Sequence, residues 1–222
     1  MQVAMHRDAG FWRGAFVAMA SPCEVLVETD DATQARAIVE RVAHTALRIE
    51  HKFSRYRTDN IVHAIHQSQG APITVDAETA KLIDYGQTLW RISDGAFDLT
   101  SGVLRHAWRF QATAAPPTQA QIDALMVRVG WSRVNWQAPT LTLPAGMEID
   151  FGGIGKEYAV DLAVTELAPW PQIAVLVNLG GDLRATGPSP VRGAWQVGIE
   201  SVAELGHASR QIKLATGALA TS

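Results

Sequence analysis

Met147-Glu148-Ile149-Asp150-Phe151-Gly152-Gly153-Ile154-Gly155-Lys156-Glu157-Tyr158-Ala159-Val160-Asp161 runs from an alternating apolar and polar pattern through a glycine turn into a helical period. The alternation predicts a strand, and the recurrence of Ile154, Tyr158 and Leu162 every four residues predicts a helix that buries that face. Gly152, Gly153 and Gly155 leave the backbone amides at the helix start uncovered by side chains. Unpaired amides and the positive end of the helix dipole suit a phosphate, and Lys156 adds a mobile positive charge. Asp150, just before the turn, fits such a site if it faces a hydroxyl, a ring nitrogen or a cation; alone it would repel the ligand. Taken by itself the turn also serves simply to let a helix pack on a strand.

Two familiar phosphate loops are excluded. A nucleoside-triphosphate loop needs glycine five residues before the Gly-Lys pair and serine or threonine after it, and those positions hold Asp150 and Glu157. No G-x-G-x-x-G opens a helix, so a Rossmann dinucleotide domain has no support. Of the 222 residues, 47% are hydrophobic and 18% charged, enough for a real core, and the net charge of −3 without a lysine or arginine run points away from nucleic acid and anionic membranes. A single cysteine, Cys23, allows no internal disulfide and reads as a buried free thiol. The first fourteen residues lack a long apolar run, so the chain as written has neither a secretion signal nor a membrane span.

Outward from the glycine turn, residues 15–29 read as two short strands or one strand kinked at Ser21-Pro22. Asp30 or Asp31 caps a helix whose stripe is Ala35, Ile38, Val39, Val42, Ala46, Ile49 and Phe53. The loop over residues 53–60 carries Arg55, Tyr56 and Arg57, which makes it either a ligand edge or a tyrosine packed on its own helix end. A short helix over 61–68 precedes a longer one from Val75-Asp76 to Asp94-Gly95, with Leu82, Ile83, Gly86, Leu89 and Trp90 inward. Gly95 and Gly102 then bound a loop that holds Asp98 between apolar neighbours, as a loop inserted into a pocket would. His106, followed by Trp108 and Arg109, reads as a surface or satisfied histidine rather than a base, since no second ligand-type residue stands at metal spacing. Residues 112–117 read as a surface loop. Thr118 and Gln121 form a capping box for a helix carrying Ile122, Leu125, Met126 and Val129, ended by Gly130. Strands are expected at 134–136 and 141–143 as a hairpin, and at 173–177, 183–186, 195–200 and 211–215. No repeat recurs. Strands in pairs separated by long helices predict a single α+β domain with helices packed on mixed or antiparallel sheets.

Five pieces then coincide: Phe53-Ser54-Arg55-Tyr56-Arg57-Thr58-Asp59, Gly95-Ala96-Phe97-Asp98-Leu99-Thr100, Asp150-Phe151-Gly152-Gly153-Ile154-Gly155-Lys156, Val177-Asn178-Leu179-Gly180-Gly181-Asp182 and Ala220-Thr221-Ser222. In order and spacing they resemble the ApbE family of FAD:protein FMN transferases, whose fold is T-fold-related. The resemblance implies an enzyme that splits FAD and, with Mg2+, attaches FMN to a threonine or serine of an acceptor flavoprotein. It also implies that Met19, Tyr56, Ala96, Phe97, Asp98, Asp150 and Lys156 bind FAD and that the carbonyl of Gly153 is a magnesium ligand. The motif at 178–182 is explained as a turn after a buried strand, without a catalytic role for Asp182. Two small departures stand out: Ala20 where the family has glycine, and Gly155 where it has alanine.

A larger departure is the end, since the family continues beyond the Ala-Thr-Ser motif through a histidine-bearing segment and an Asp-Pro-x-Thr-Gly motif, neither of which is among these 222 residues. His207 does not fit that role by position, and no catalytic residue is assigned. The expectation is therefore that residues 1–222 bind FAD weakly and scarcely turn over. A flavin-binding or partner-binding protein without activity, and an FAD pyrophosphatase, are the alternatives. The chain as written reads as cytoplasmic, or as periplasmic or membrane-anchored if a leader was removed.

Overall fold

Met19 and Ala20 both have left-handed backbone, with φ of 52° and 55°, and make the two-residue turn of a β-hairpin in which Ala18 faces Ser21. The pair of strands expected over 15–29 is therefore joined before Ser21-Pro22 rather than broken there. Two positive φ values match the right-handed twist of paired strands and usually call on glycine or asparagine, so Ala20 sits where glycine would be relaxed.

The computed structural model describes residues 3–8, 10–108, 115–189, 191, 193–200 and 208–221. Arg109, residues 112–114 of the expected surface loop, His207 and Ser222 lie outside them. In chain order the elements are β1 (Ala4–Asp8), β2 (Phe11–Ala18), β3 (Ser21–Glu28), α1 (Ala32–Phe53), α2 (Ile61–Gln67), β4 (Ile73–Thr74), α3 (Ala77–Ile92), α4 (Gln119–Met126), β5 (Asn135–Gln137), β6 (Thr140–Thr142), α5 (Gly155–Thr165), β7 (Ala174–Leu179), β8 (Asp182–Ala185), β9 (Trp195–Glu200), β10 (Ala208–Leu214) and β11 (Gly217–Leu219). Short 3-10 helices lie at Gly102–His106 and Trp131–Arg133. This is the α+β class expected, with antiparallel sheets. The residues divide into two compact units, Met1–Glu50 with Gly155–Ser222, and His51–Ile154.

In the first unit a six-stranded sheet runs β1-β2-β3-β7-β8-β11, every neighbouring pair antiparallel, and β9 and β10 form a separate hairpin. Asp31 supplies the cap of α1, accepting from the amides of Thr33 and Gln34 at 2.8 and 3.2 Å. The stripe from Ala35 to Ile49 is fully buried. A side chain at Gly14 would collide with Val39, so β2 approaches α1 this closely only because that residue has no Cβ. A second cluster gathers Phe11, Leu26, Leu176, Leu183, Trp195 and Val197.

The second unit holds α2, α3, α4 and the small antiparallel sheet β4-β6-β5, whose β5–β6 hairpin was expected. Asp76 caps α3 through the amides of Glu78 and Thr79, at 3.0 and 3.2 Å, and also receives Lys52 Nζ at 2.6 Å. Phe53 and Phe151 meet edge to face, ring centroids 5.1 Å apart. The capping box of Thr118 and Gln121 is present, but α4 ends at Met126 and buries none of its residues. Gly130 is not its stop; with φ of 151° it leads into the second 3-10 helix, which buries Trp131.

Two expectations about the opening stretch are corrected. Residues 147–150 are extended with alternate burial but form no ladder: one isolated bridge, Ser101 to Glu148, and the amide of Asp150 donating to the Leu99 carbonyl at 2.8 Å replace it. Helix α5 buries Ala159, Val160 and Ala163 rather than Tyr158 and Leu162. It packs on β7 and β8, and small residues allow that closer approach to a sheet than large ones would.

Candidate functional site

In the second unit, Asp150 answers the question its position raised: it faces a cation. Arg55, brought by the loop after α1, donates Nη1 to Asp150 Oδ2, while Oδ1 accepts from the Gly152 amide at 2.9 Å. Arg55 Nη2 reaches the Tyr56 hydroxyl at 2.9 Å, with the guanidinium carbon 5.1 Å from the Tyr56 ring centroid. Tyr56 is 74% exposed. It is therefore not packed on its helix end, and an aromatic face held by one arginine is a surface a planar ligand can stack on. Arg55 was named as part of this loop's ligand-edge chemistry but was not assigned a partner or a place in the site. Its signal was present in Glu148 and Asp150, two carboxylates on one side of an extended segment, which demand cationic partners.

The amides of the turn are less free than the glycines alone imply, because Gly152 donates to Asp150 and Ile154 donates to the Phe151 carbonyl at 3.0 Å. Gly153 has a close neighbour: an added Cβ would lie 3.0 Å from Phe97 Cε2, and that ring would have to give by a few tenths of an ångström. Phe97 is thereby placed against the turn, while exposed Ala96 leaves its loop open to solvent. Asp98 is committed internally. Its Oδ1 accepts from the Thr100 amide and hydroxyl at 2.7 and 2.6 Å, and its Oδ2 from the Trp131 amide at 2.8 Å. Its visible work is to fix the loop that presents Ala96 and Phe97.

Glu148 receives Arg105 Nε and His106 Nε2, each at 2.7 Å. Burial pushes its carboxyl up, but those bonds outweigh burial and hold it below the usual glutamate value. His106 is thus a satisfied histidine. His66 was missed: its Nε2 lies 3.0 Å from the Ile149 amide and 3.1 Å from the Ile149 carbonyl, and burial lowers its pKa, so the neutral ring accepts from that amide.

In the first unit, Lys156 opens α5 with its stem near Gly180 and Nζ 3.7 Å from Asp182 Oδ2. Asp182 is buried and accepts from the Thr221 amide at 3.2 Å, while Thr221 Oγ1 donates to the Gly181 carbonyl at 3.1 Å. Half-buried Met19 stands at the β2–β3 turn, and the Gly180 amide donates to the Pro22 carbonyl at 3.2 Å. At 3.7 Å the lysine is attracted to Asp182 without a close hydrogen bond, leaving its donors for an anion. Burial raises the Cys23 thiol, which fits an inert core cysteine. Among the described residues no cluster of three His, Cys, Asp or Glu side chains gathers to hold a metal, and no helix is long and apolar enough to cross a membrane. One carbonyl, at Gly153, is not by itself a magnesium site, since magnesium takes about six oxygens in near-octahedral array.

A sequence model of the ApbE family matches residues 19–222. A protein of Haemophilus influenzae named FAD:protein FMN transferase is 27% identical over 167 residues, which are 70% of this chain and 48% of that one. Its namesake in Treponema pallidum is 30% identical over 187 residues, 76% of this chain and 51% of the other. The chain spans about half the length of the curated relatives it matches. Among solved structures, the ApbE protein of Thermotoga maritima superposes with a TM-score of 0.85 at 27% identity, covering 96% of this chain and 70% of that one. The flavin transferase ApbE of Vibrio cholerae gives 0.75 at 20% identity over 96% of this chain and 68% of its own, a likeness of fold.

Proposed function

Because the chain belongs to the ApbE family by its match over residues 19–222, we propose that it binds FAD and serves the transfer of FMN from FAD to a threonine or serine hydroxyl of an acceptor flavoprotein. The single observation that carries the reading is Lys156 in the first turn of α5, paired loosely with a buried aspartate. A cation beside a helix N-terminus strengthens its hold on a phosphate, and this one is attracted to Asp182 at 3.7 Å without a close hydrogen bond. Met19, Tyr56, Ala96, Phe97, Asp150 and Lys156 are the residues that the family resemblance assigns to FAD. Asp98 acts through its loop.

In the transfer the acceptor oxygen bonds to the phosphorus of the FMN half, the bond from that phosphorus to the bridging oxygen breaks, AMP leaves, and the hydroxyl proton passes to a base. Lys156 favours the charge gathering on the phosphate oxygens. Phe97 and Tyr56 offer aromatic faces to the rings. Magnesium, with the Gly153 carbonyl as one ligand, would neutralise pyrophosphate charge when bound. The described residues do not complete its coordination, and no step here runs through it.

The test is a fluorescence-quenching titration of the chain with FAD, FMN, ADP and NAD. FAD should bind most tightly, and Lys156→Ala should weaken FAD by about tenfold and FMN by less, because FAD brings two phosphates to that cation. Equal or absent binding of all four ligands overturns the reading. Transfer itself is read as a mass increase of one FMN on the acceptor hydroxyl; release of free FMN alone would make it hydrolysis.

A further inference from the structure

Arg55 stands between two of the residues assigned to FAD, Tyr56 and Asp150, and all three lie in the second unit. Its Nη1 donates to Asp150 Oδ2 and its Nη2 to the Tyr56 hydroxyl at 2.9 Å, with the guanidinium carbon 5.1 Å from the Tyr56 ring centroid. One rigid plane thus fixes a phenol and a carboxylate, the latter brought by a segment 95 positions away.

Holding the two segments together does not require this arginine. Phe53 and Phe151, both buried, already dock them edge to face. The loop after α1 is closed by Asn60, whose Nδ2 donates to the His51 and Ser54 carbonyls at 3.0 and 2.7 Å, and by the Arg57 amide on the Ser54 carbonyl at 3.4 Å. What these contacts leave open is the direction of two side chains. Without the arginine, Asp150 keeps the Gly152 amide on Oδ1 at 2.9 Å and loses the donor on Oδ2. The Tyr56 ring is 74% exposed, and a surface ring with no partner changes rotamer within picoseconds to nanoseconds. Ordering such a side chain only when the ligand arrives weakens binding, so a ring held in place beforehand binds more tightly.

We propose that Arg55 is a positioning residue for FAD: it holds the Tyr56 ring and the Asp150 carboxylate in the arrangement the ligand meets, and acts through those side chains rather than by its own charge. The inference rests on the proposed function, since it gives Arg55 a part in FAD binding. The test is Arg55→Lys in the full chain, which keeps a positive charge for Asp150 but has neither the planar face nor the second nitrogen that reaches Tyr56. FAD quenching should weaken about fivefold, and carbon-13 relaxation of the Tyr56 ring in the ligand-free chain should show more motion than in wild type. In a Tyr56→Leu background the same change should weaken FAD little further, because the ring it positions is gone; a merely structural arginine would give the same loss in both backgrounds. Unchanged FAD binding in Arg55→Lys, an equal loss with and without the Tyr56 ring, or a ring equally mobile in both chains would overturn the proposal alone. Absence of FAD binding to the unaltered chain would refute the proposed function and this role with it.

Discussion

The glycine turns at 152–155 and 178–182 each stand beside an aspartate, and they are built for opposite ends. At 178–182 the glycines answer to the backbone: Gly180 and Gly181 have φ of 66° and 100°, Asn178 Oδ1 accepts from the Gly181 amide at 2.9 Å, and Asp182 is buried against Thr221. At 152–155 no glycine has positive φ, and the residues are small because something approaches them or because nothing is needed there. Gly153 makes room for Phe97, whereas a Cβ on Gly155 would meet nothing within 4 Å. One turn is closed on itself and structural. The other is exposed, with Phe97 standing against its Gly153, while Lys156, next in the chain, carries its stem and charge to Gly180 and Asp182 of the closed turn. Glycine content alone does not separate a ligand-facing turn from a folding device; the sign of φ and the neighbours of the absent Cβ do.

The sharpest test of that contrast is Gly180→Ala. It forces a side chain into left-handed backbone with Ser21 Cβ only 2.6 Å away, and should cost about 3 kcal/mol in urea unfolding. A loss under about 1 kcal/mol would mean the closed turn relaxes freely, and the distinction between the turns would fail.

A second test concerns the segment that leads into the open turn. The pKa of His66 is lowered by burial, so the unfolded chain binds its proton more readily than the folded one. The sign follows: this group's contribution is whole above the unfolded pKa of about 6.5 and is lost as pH falls through and below it. Other groups of the chain titrate in the same range, so the quantity to measure is the difference between wild type and His66→Gln. The variant should lose about 1 kcal/mol at neutral pH through the bond to Ile149, and the gap should narrow as pH falls towards 5. A gap that is constant with pH would show that His66 does not titrate against folding.

The smallest effect belongs to Gly155→Ala. With open space around it at the first position of α5, alanine should stabilise by about 0.5 kcal/mol and leave FAD binding intact. Destabilisation would mean that this glycine, too, is held by its backbone.

Much of the architecture is local and was legible. The α1 stripe, its cap at Asp30 or Asp31, the start of α3 at Val75-Asp76, the Thr118 capping box and the β5–β6 hairpin each depend on side chains a few residues apart, and they are present, with Asp31 as the cap of α1 and Asp76 as that of α3. The strands that escaped are edges or very short. β1 is polar and mostly exposed, β4 has two residues and β11 three, so none shows a buried alternation. Residues 147–150 do alternate, but alternation records which side is buried and not whether a neighbouring strand is available to pair.

By itself the sequence determined the α+β class, the helices and their caps, the glycine turn that starts α5, and the motif set that places the chain in its family. Each of these is written in spacing that a short stretch carries on its own. Only the tertiary structure decided that Asp150 answers to Arg55 across 95 positions and Ile149 to His66 across 83, or that Asp98 spends its carboxylate on its own loop. The physical reason is that a charge or a hydrogen-bonding group fixes the need for a partner but not which one. That choice falls to the packing, which brings distant segments within about 3 Å of each other.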